Sequence, residues 1–198
     1  MKLWSKEGSD TNKRIEEFTV GRDPEFDMLL AKYDVQASMA HAKMLASVNM
    51  LTNEEATSIQ TELENIQQEI LENKFRIEEG VEDIHSQIEL NLTKKIGEAG
   101  KKIHSGRSRN DQVAVDIKLF LRTEIQELKS EVKNLFDLLM KLSEQYRHDL
   151  LPGYTHLQIA MPSSFGLWFS AYAESLIDDL EILSAAFQVV NKNPLGSG

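Results

Sequence analysis

The sequence predicts an all-α fold in which long helices pack as a bundle. Three observations carry that prediction. Apolar residues recur at helical spacing along most of the chain, Pro and Gly gather between the periodic segments, and no stretch alternates apolar and polar residues with turn signals as a half-buried strand would. The four Pro stand at 24, 152, 162 and 194 and mark joints. A Pro inside a helix removes a hydrogen bond and clashes with the preceding turn.

The elements follow in order. One helix is expected from Phe26 to Leu51, with Leu29, Leu30, Tyr33, Met44, Leu45 and Val48 on its apolar rows. Thr52 followed by Glu55 reads as a capping box, in which hydroxyl and carboxylate satisfy amides at the start of a second helix. That helix points Ile59, Leu63, Ile66 and Ile70 inward and ends near Asn73. A third is expected from about Glu82 to Glu98, between Gly80 and Gly100. The longest begins near Asn110, where Leu121, Ile125, Leu128, Val132, Leu135, Leu139, Leu142 and Tyr146 repeat by steps of four and three. Such spacing lays one apolar seam along a rod of about sixty ångströms, at about 1.5 Å per residue. After Pro152-Gly153 and a loop to Pro162, the rhythm resumes with Phe165, Phe169, Tyr172, Leu176, Leu180, Leu183, Phe187 and Val190. Two long helices with a short connection should lie antiparallel. The seam exceeds what a fold of otherwise short helices can cover, which favours an oligomeric bundle over a monomeric one.

Composition narrows the function classes. The 198 residues carry a net charge of −10, which argues against the broad basic face that nucleic acid requires. No run of about eighteen apolar residues appears and none follows the first Met, so neither a membrane span nor a signal peptide is expected. The chain has no Cys, which excludes disulfides and thiolate chemistry and fits a soluble, cytoplasmic protein. Five His, at 41, 85, 104, 148 and 156, show no HxxxH or HxH pairing, so no metal site is expected. A P-loop, GxGxxG and Gly-x-Ser-x-Gly are all missing from the sequence.

Three polar stretches do not fit a packing role. Glu82-Asp83-Ile84-His85 opens a helix; its acids either cap the positive helix end or serve a site, and His85 lies one turn below Glu82. The second, KKIHSGRSRNDQ from Lys101 to Gln112, gathers basic residues around Gly106 in an acidic chain. Ser108, Arg109, Asn110 and Asp111 sit where the long helix begins, and helix amides beside an Arg fork suit a carboxylate or phosphate. The alternative is a well-capped helix with solvated arginines. The third stretch, PGYTHLQIAMP from Pro152 to Pro162, holds Thr155 and His156 between the two long helices. A loop His is commonly just exposed, but beside an anion-binding turn it offers a group that changes charge near neutral pH.

Together HSGRSRNDQVAVD, from His104 to Asp116, and GYTHLQIAMP, from Gly153 to Pro162, resemble the argininosuccinate lyases. These form a branch of the superfamily of fumarase, aspartase, adenylosuccinate lyase and δ-crystallin. Supporting matches are Lys2-Leu3-Trp4, EDIHSQIE from Glu82 to Glu89, and PLGSG from Pro194 to Gly198, spread in order over the chain.

The resemblance implies a long-helix bundle of the fumarase/aspartase superfamily, assembling through a central multi-helix core of a homotetramer. Residues 1–109 would form an N-terminal helical domain and 110–198 the start of the central bundle. It further implies reversible β-elimination of argininosuccinate to arginine and fumarate without metal or organic cofactor. Ser108, Arg109 and Asn110 would hold substrate carboxylates, Thr155 would donate to the same group, and His156 would take part in proton transfer. Asp83 and His85 would lie near the active site, and each site would draw on three subunits. The alternatives are a sister lyase acting on another succinyl adduct and a non-catalytic relative of the crystallin type.

Two departures from the family pattern bear on this expectation. The family's second catalytic residue is a Ser in a GSSxMPxKxNP loop, and the sequence stops at NKNPLGSG before any such loop. The expectation is therefore an N-terminal portion, inactive by itself. Family members also commonly begin KLWGGRF and carry a substrate-binding Ser soon after. Here KLWSKEGSD and FTVGRDPEF offer Gly21, Arg22 and Asp23 instead, with Arg22 as a candidate carboxylate donor.

Overall fold

A computed structural model describes Phe18, residues 21–194 and Gly196. Lys2-Leu3-Trp4 and most of the terminal PLGSG match lie outside the described residues. The elements are α1 (Asp23–Ser47), α2 (Asn53–Leu71), α3 (Ile84–Ile96), α4 (Glu98–Lys101), a 3-10 turn (Lys102–His104), α5 (Arg109–Gln145), β1 (Leu150–Thr155), β2 (Gln158–Ser164) and α6 (Phe165–Val190). The fold is all-α in class, and its sheet among the described residues is one two-stranded hairpin. No described helix is long and apolar enough to cross a membrane. The chain divides into two compact units, Met1–Phe120 with Asn193–Gly198, and Leu121–Lys192.

The first unit is a helical bundle with the core. Pro24 lies in the first turn of α1, where its missing N–H costs nothing. Thr52 caps α2 with the predicted capping box: its Oγ1 accepts from the Glu55 amide at 3.1 Å, and Glu55 accepts from the Thr52 amide at 3.0 Å. Asp83 opens α3, its carboxylate accepting from the Ser86 amide at 2.6 Å. Gly97, at φ 65°, ends α3 and starts α4. α1 and α2 pack on each other and α3 lies against both. Val35, Leu45, Ile59, Leu63, Ile66, Ile84 and Leu92 are each at most 1% exposed between them. Each such side chain contributes roughly 1.5–3 kcal/mol through burial.

The second unit is a helical hairpin with a strand pair at its turn. The last part of α5 and α6 run antiparallel: Ser143 Oγ donates to the Gly166 carbonyl at 2.7 Å, Lys129 Nζ to Ser184 Oγ at 3.0 Å, and the Arg122 guanidinium lies 5.9 Å from the Phe187 ring centre. Gly166 permits the closest approach, since a Cβ there would stand 2.6 Å from both Arg147 Cα and the Ser143 carbonyl oxygen. The segment expected as a loop is instead a β-hairpin, with Pro152 opposite Pro162 and the register broken between Gly153 and Tyr154. Its turn uses His156 at φ 48° and Leu157 at φ 62°. Without Gly or Asn there, and with Pro in both strands, the hairpin carried no recognisable signal.

Candidate functional site

The first unit buries a group of charged and polar side chains beneath the segment that leads into α5. Gly100 brings α4 close to α3: an added Cβ would lie 2.6 Å from the Leu92 carbonyl carbon. His41 on α1 then hydrogen-bonds the Ser105 carbonyl through Nε2 at 2.8 Å, fixing the turn. Arg107, expected among solvated or ligand-facing arginines, points inward at 9% exposure and donates from Nη2 to Ser38 Oγ at 3.0 Å.

α5 adds a polar stripe at helical spacing. Arg109, Gln112 and Asp116 follow one another by three and four residues, and Phe120 continues the row edge-on against Tyr33. Arg109 donates from Nη1 to Gln112 Oε1 at 2.9 Å and from Nη2 to Glu89 Oε2 at 2.7 Å. Gln112 Nε2 reaches Asp34 Oδ1 at 3.4 Å. His85 Nδ1 stands 3.3 Å from Asp34 Oδ1 and 3.6 Å from Asp116 Oδ2, and none of these three side chains is more than 3% exposed. His85 is thus enclosed between two acidic side chains rather than on a helix surface.

Electrostatics separates the two acids. Burial acts to raise Asp34, but the His85 imidazole beside it, the Arg107 guanidinium and the Gln112 amide outweigh it and hold the carboxyl below its ordinary value. Burial raises Asp116 as well; the neighbouring Asp34 charge adds to it, and the carboxyl is pushed up to about 9. The physical outcome is one ionised and one protonated acid around a single imidazole. One donor atom from each of Asp34, His85 and Asp116 lies within 4.8 Å of the others, a spacing that could hold a cation. Arg107 already faces both acids with its positive charge, so the ionised Asp34 has an internal counter-ion.

Ser108 and Asn110 are exposed at the start of α5. The Ser108 amide donates to Asp111 Oδ2 at 2.8 Å, and its hydroxyl donates to the same oxygen at 3.1 Å while accepting from the Asp111 amide at 3.3 Å. Ser108 therefore caps its own helix. Asp83 is the α3 cap, two residues before His85. Arg22, the candidate replacement donor, pairs with Glu25 at 2.7 Å and lies over the Phe26 ring.

Thr155 and His156 belong to the second unit, exposed at the hairpin tip. An open apolar hollow of about 340 Å³ lies along the hairpin, lined by Leu150, Ile159 and Met161 among others, and neither Thr155 nor His156 lines it. Within the first unit, the fold brings His85 and Arg109 into one polar network.

Asp34, Ser38, Glu89, Gln112 and Asp116 were not singled out from the sequence. A signal existed for two of them. Asp34 falls beside Ala31, Val35 and Ser38 in the buried register of α1, and Asp116 shares a row with Phe120. An acid at a core position is seldom buried without a partner.

The comparisons with known proteins agree on the family. The model of the family described as "Lyase" matches residues 8–198. The argininosuccinate lyase of Bacteroides fragilis is 61% identical over 196 residues, covering 99% of this chain and 44% of the relative. That of Thermotoga neapolitana is 40% identical over 197 residues, covering 100% of this chain and 49% of the relative. Among solved structures, an EDDS lyase variant with bound fumarate superposes with a TM-score of 0.75 at 23% identity, covering 96% of this chain and 37% of that one. A fumarate lyase:delta crystallin from Brucella melitensis gives 0.73 at 16% identity, covering 91% and 45%. The chain thus spans less than half the length of the curated relatives, and by its sequence and its helical fold it belongs to the lyase family.

Proposed function

We propose that this chain forms part of an argininosuccinate lyase, which splits argininosuccinate reversibly into arginine and fumarate. The observation that carries the proposal is the 61% identity to one such enzyme over 196 residues, a span that includes both the GRSRNDQ and the YTH stretches.

The chemistry is an anti β-elimination. A base removes the proton next to a carboxylate, the electron pair collects as an aci-carboxylate, and the guanidino nitrogen leaves after taking up a proton. Stabilising that extra negative charge calls for fixed donors already aimed at it. The start of α5 suits the task, with first-turn amides, the positive end of a 37-residue helix and N–H groups of Arg109 beyond those bonded to Glu89 and Gln112. In this proposal Ser108, Arg109, Asn110 and Thr155 bind the substrate carboxylates, and His156 takes part in proton transfer. Asp83 and His85 support the site from α3.

The proposed assembly is a homotetramer with sites shared between subunits. Support comes from the second unit, where Leu128, Leu135, Leu138, Trp168, Tyr172 and Ile182 are each at least 46% exposed in the single chain. Apolar rows of this length are normally covered. Assembly would also let the hairpin of one subunit meet the α5 turn of another.

Two measurements test the proposal. The polypeptide of full family length should release fumarate from argininosuccinate, and faster than from other succinyl adducts; preference for another adduct would make it a sister lyase. His156→Asn should lower turnover by at least about 100-fold. Unchanged turnover would remove His156 from the mechanism.

A further inference from the structure

One polar network joins Arg109 and His85, which have proposed roles, through Glu89, Gln112 and Asp34, which have none. Arg109 enters it through both terminal nitrogens. One is held by Glu89 Oε2 at 2.7 Å on α3, the other by Gln112 Oε1 at 2.9 Å, one turn along α5. Gln112 is only 3% exposed, and the other end of its amide points at Asp34 Oδ1, 3.4 Å away on α1. Asp34 in turn faces His85 Nδ1 at 3.3 Å. A buried amide has one acceptor and one donor end, and here each end has a different charged partner. Flipping or removing it breaks both contacts.

We propose that Gln112 is a positioning residue of the carboxylate cradle: it transmits the buried Asp34–His85 pair to the guanidinium of Arg109 and fixes the direction in which that fork faces. The inference rests on Arg109 binding a substrate carboxylate, as proposed above. Glu89 supplies charge to Arg109, but a single carboxylate oxygen lets the guanidinium pivot about that contact. A second bond from Gln112 stops the pivot, and Gln112 is itself immobilised by Asp34. Arg is chosen over Lys where a planar donor array must meet a carboxylate at a set angle, so its orientation is part of its affinity. The cost of loosening such a group appears in binding, because misdirected donors must be reordered each time the ligand arrives.

The experiment is a double-substitution cycle in the polypeptide of full family length, read by KM, kcat and the inhibition constant of succinate. Gln112→Met keeps the length and apolar volume of the side chain but can neither accept from Arg109 nor donate to Asp34. It should raise KM and the succinate inhibition constant about 10-fold while kcat changes less than about 3-fold. In an Arg109→Ala background the same substitution should have no further effect, because a residue acting only through Arg109 has nothing left to position. Equal effects of Gln112→Met in both backgrounds would overturn the inference and leave Gln112 as a packing residue. Should Arg109→Ala itself leave KM unchanged, the carboxylate role of Arg109 fails instead. Unfolding temperatures of all four proteins separate either result from a failure to fold. If Gln112→Met does not fold, Gln112→Leu serves in its place with the same expected pattern.

Discussion

Asp116 concentrates the residue-scale physics of this protein. Its carboxyl has no exposed surface, faces His85 and lies in the field of the ionised Asp34, so it keeps its proton up to about 9. In the unfolded chain the same group loses its proton near the ordinary aspartate value of 3.8. Between those values folding takes up a proton, and the contribution of Asp116 to stability declines as pH rises through that window. Asp34, held below its ordinary value, acts in the opposite sense and loses its contribution only as the solution becomes acidic. Asp116→Asn imitates the protonated acid at every pH. Urea unfolding of the chain between about pH 5 and pH 9 should show a flatter decline for Asp116→Asn than for the parent, with the variant gaining roughly 1 kcal/mol or more at the alkaline end. Parallel curves would mean that Asp116 is ionised in the fold.

At the scale of elements, helices were far more legible in the sequence than the hairpin. α2 opens at the predicted capping box, and α5 and α6 start within one residue of their expected positions, because caps and apolar rows act locally. α1 ends at Ser47 rather than Leu51, since the chain turns back at Val48 and Asn49, the latter at φ 60°. The hairpin from Leu150 to Ser164 stayed hidden because Pro and an unusual turn mask its pairing, and cross-strand partners are a non-local property. The site divides along the same line. Ser108, Arg109 and His156 stood out as polar residues in a dense motif. Asp34 and Asp116 did not, since their roles depend on α1, α3 and α5 meeting in space. The turn between the two long helices gives a prediction of its own. Gly166→Ala would push a methyl against the backbone of Arg147 and Ser143, at 2.6 Å in each case. Thermal unfolding should report a loss of about 1–3 kcal/mol, the usual cost of overpacking. A loss of a few tenths would show that the helix ends separate without strain.

For the whole molecule, the two units differ in what holds them. The first has a closed aliphatic core. In the second, only Gly166 and Ala173 are fully buried among its described residues; most of the predicted apolar rows are half-buried, while Leu128 and Leu135 on them and Leu138, Trp168 and Ile182 beside them stand exposed. In the proposed homotetramer these exposed side chains would be covered by neighbouring subunits. Leu128→Glu and Leu135→Glu together place two charges on the exposed row of α5, 50% and 47% accessible in the single chain. If the proposed tetramer forms through this row, light scattering on the polypeptide of full family length should then show smaller species, while circular dichroism retains the helical signal. An unaltered assembly would put the subunit contact elsewhere.

Whether assembly joins the two motifs is decided by a crystal structure of the polypeptide of full family length with argininosuccinate bound. The expected result is succinyl carboxylate oxygens within hydrogen-bonding distance of Arg109 and Asn110 from one subunit and of Thr155 and His156 from a neighbour. Substrate bound away from both stretches, or beside residues of a single subunit alone, would contradict it.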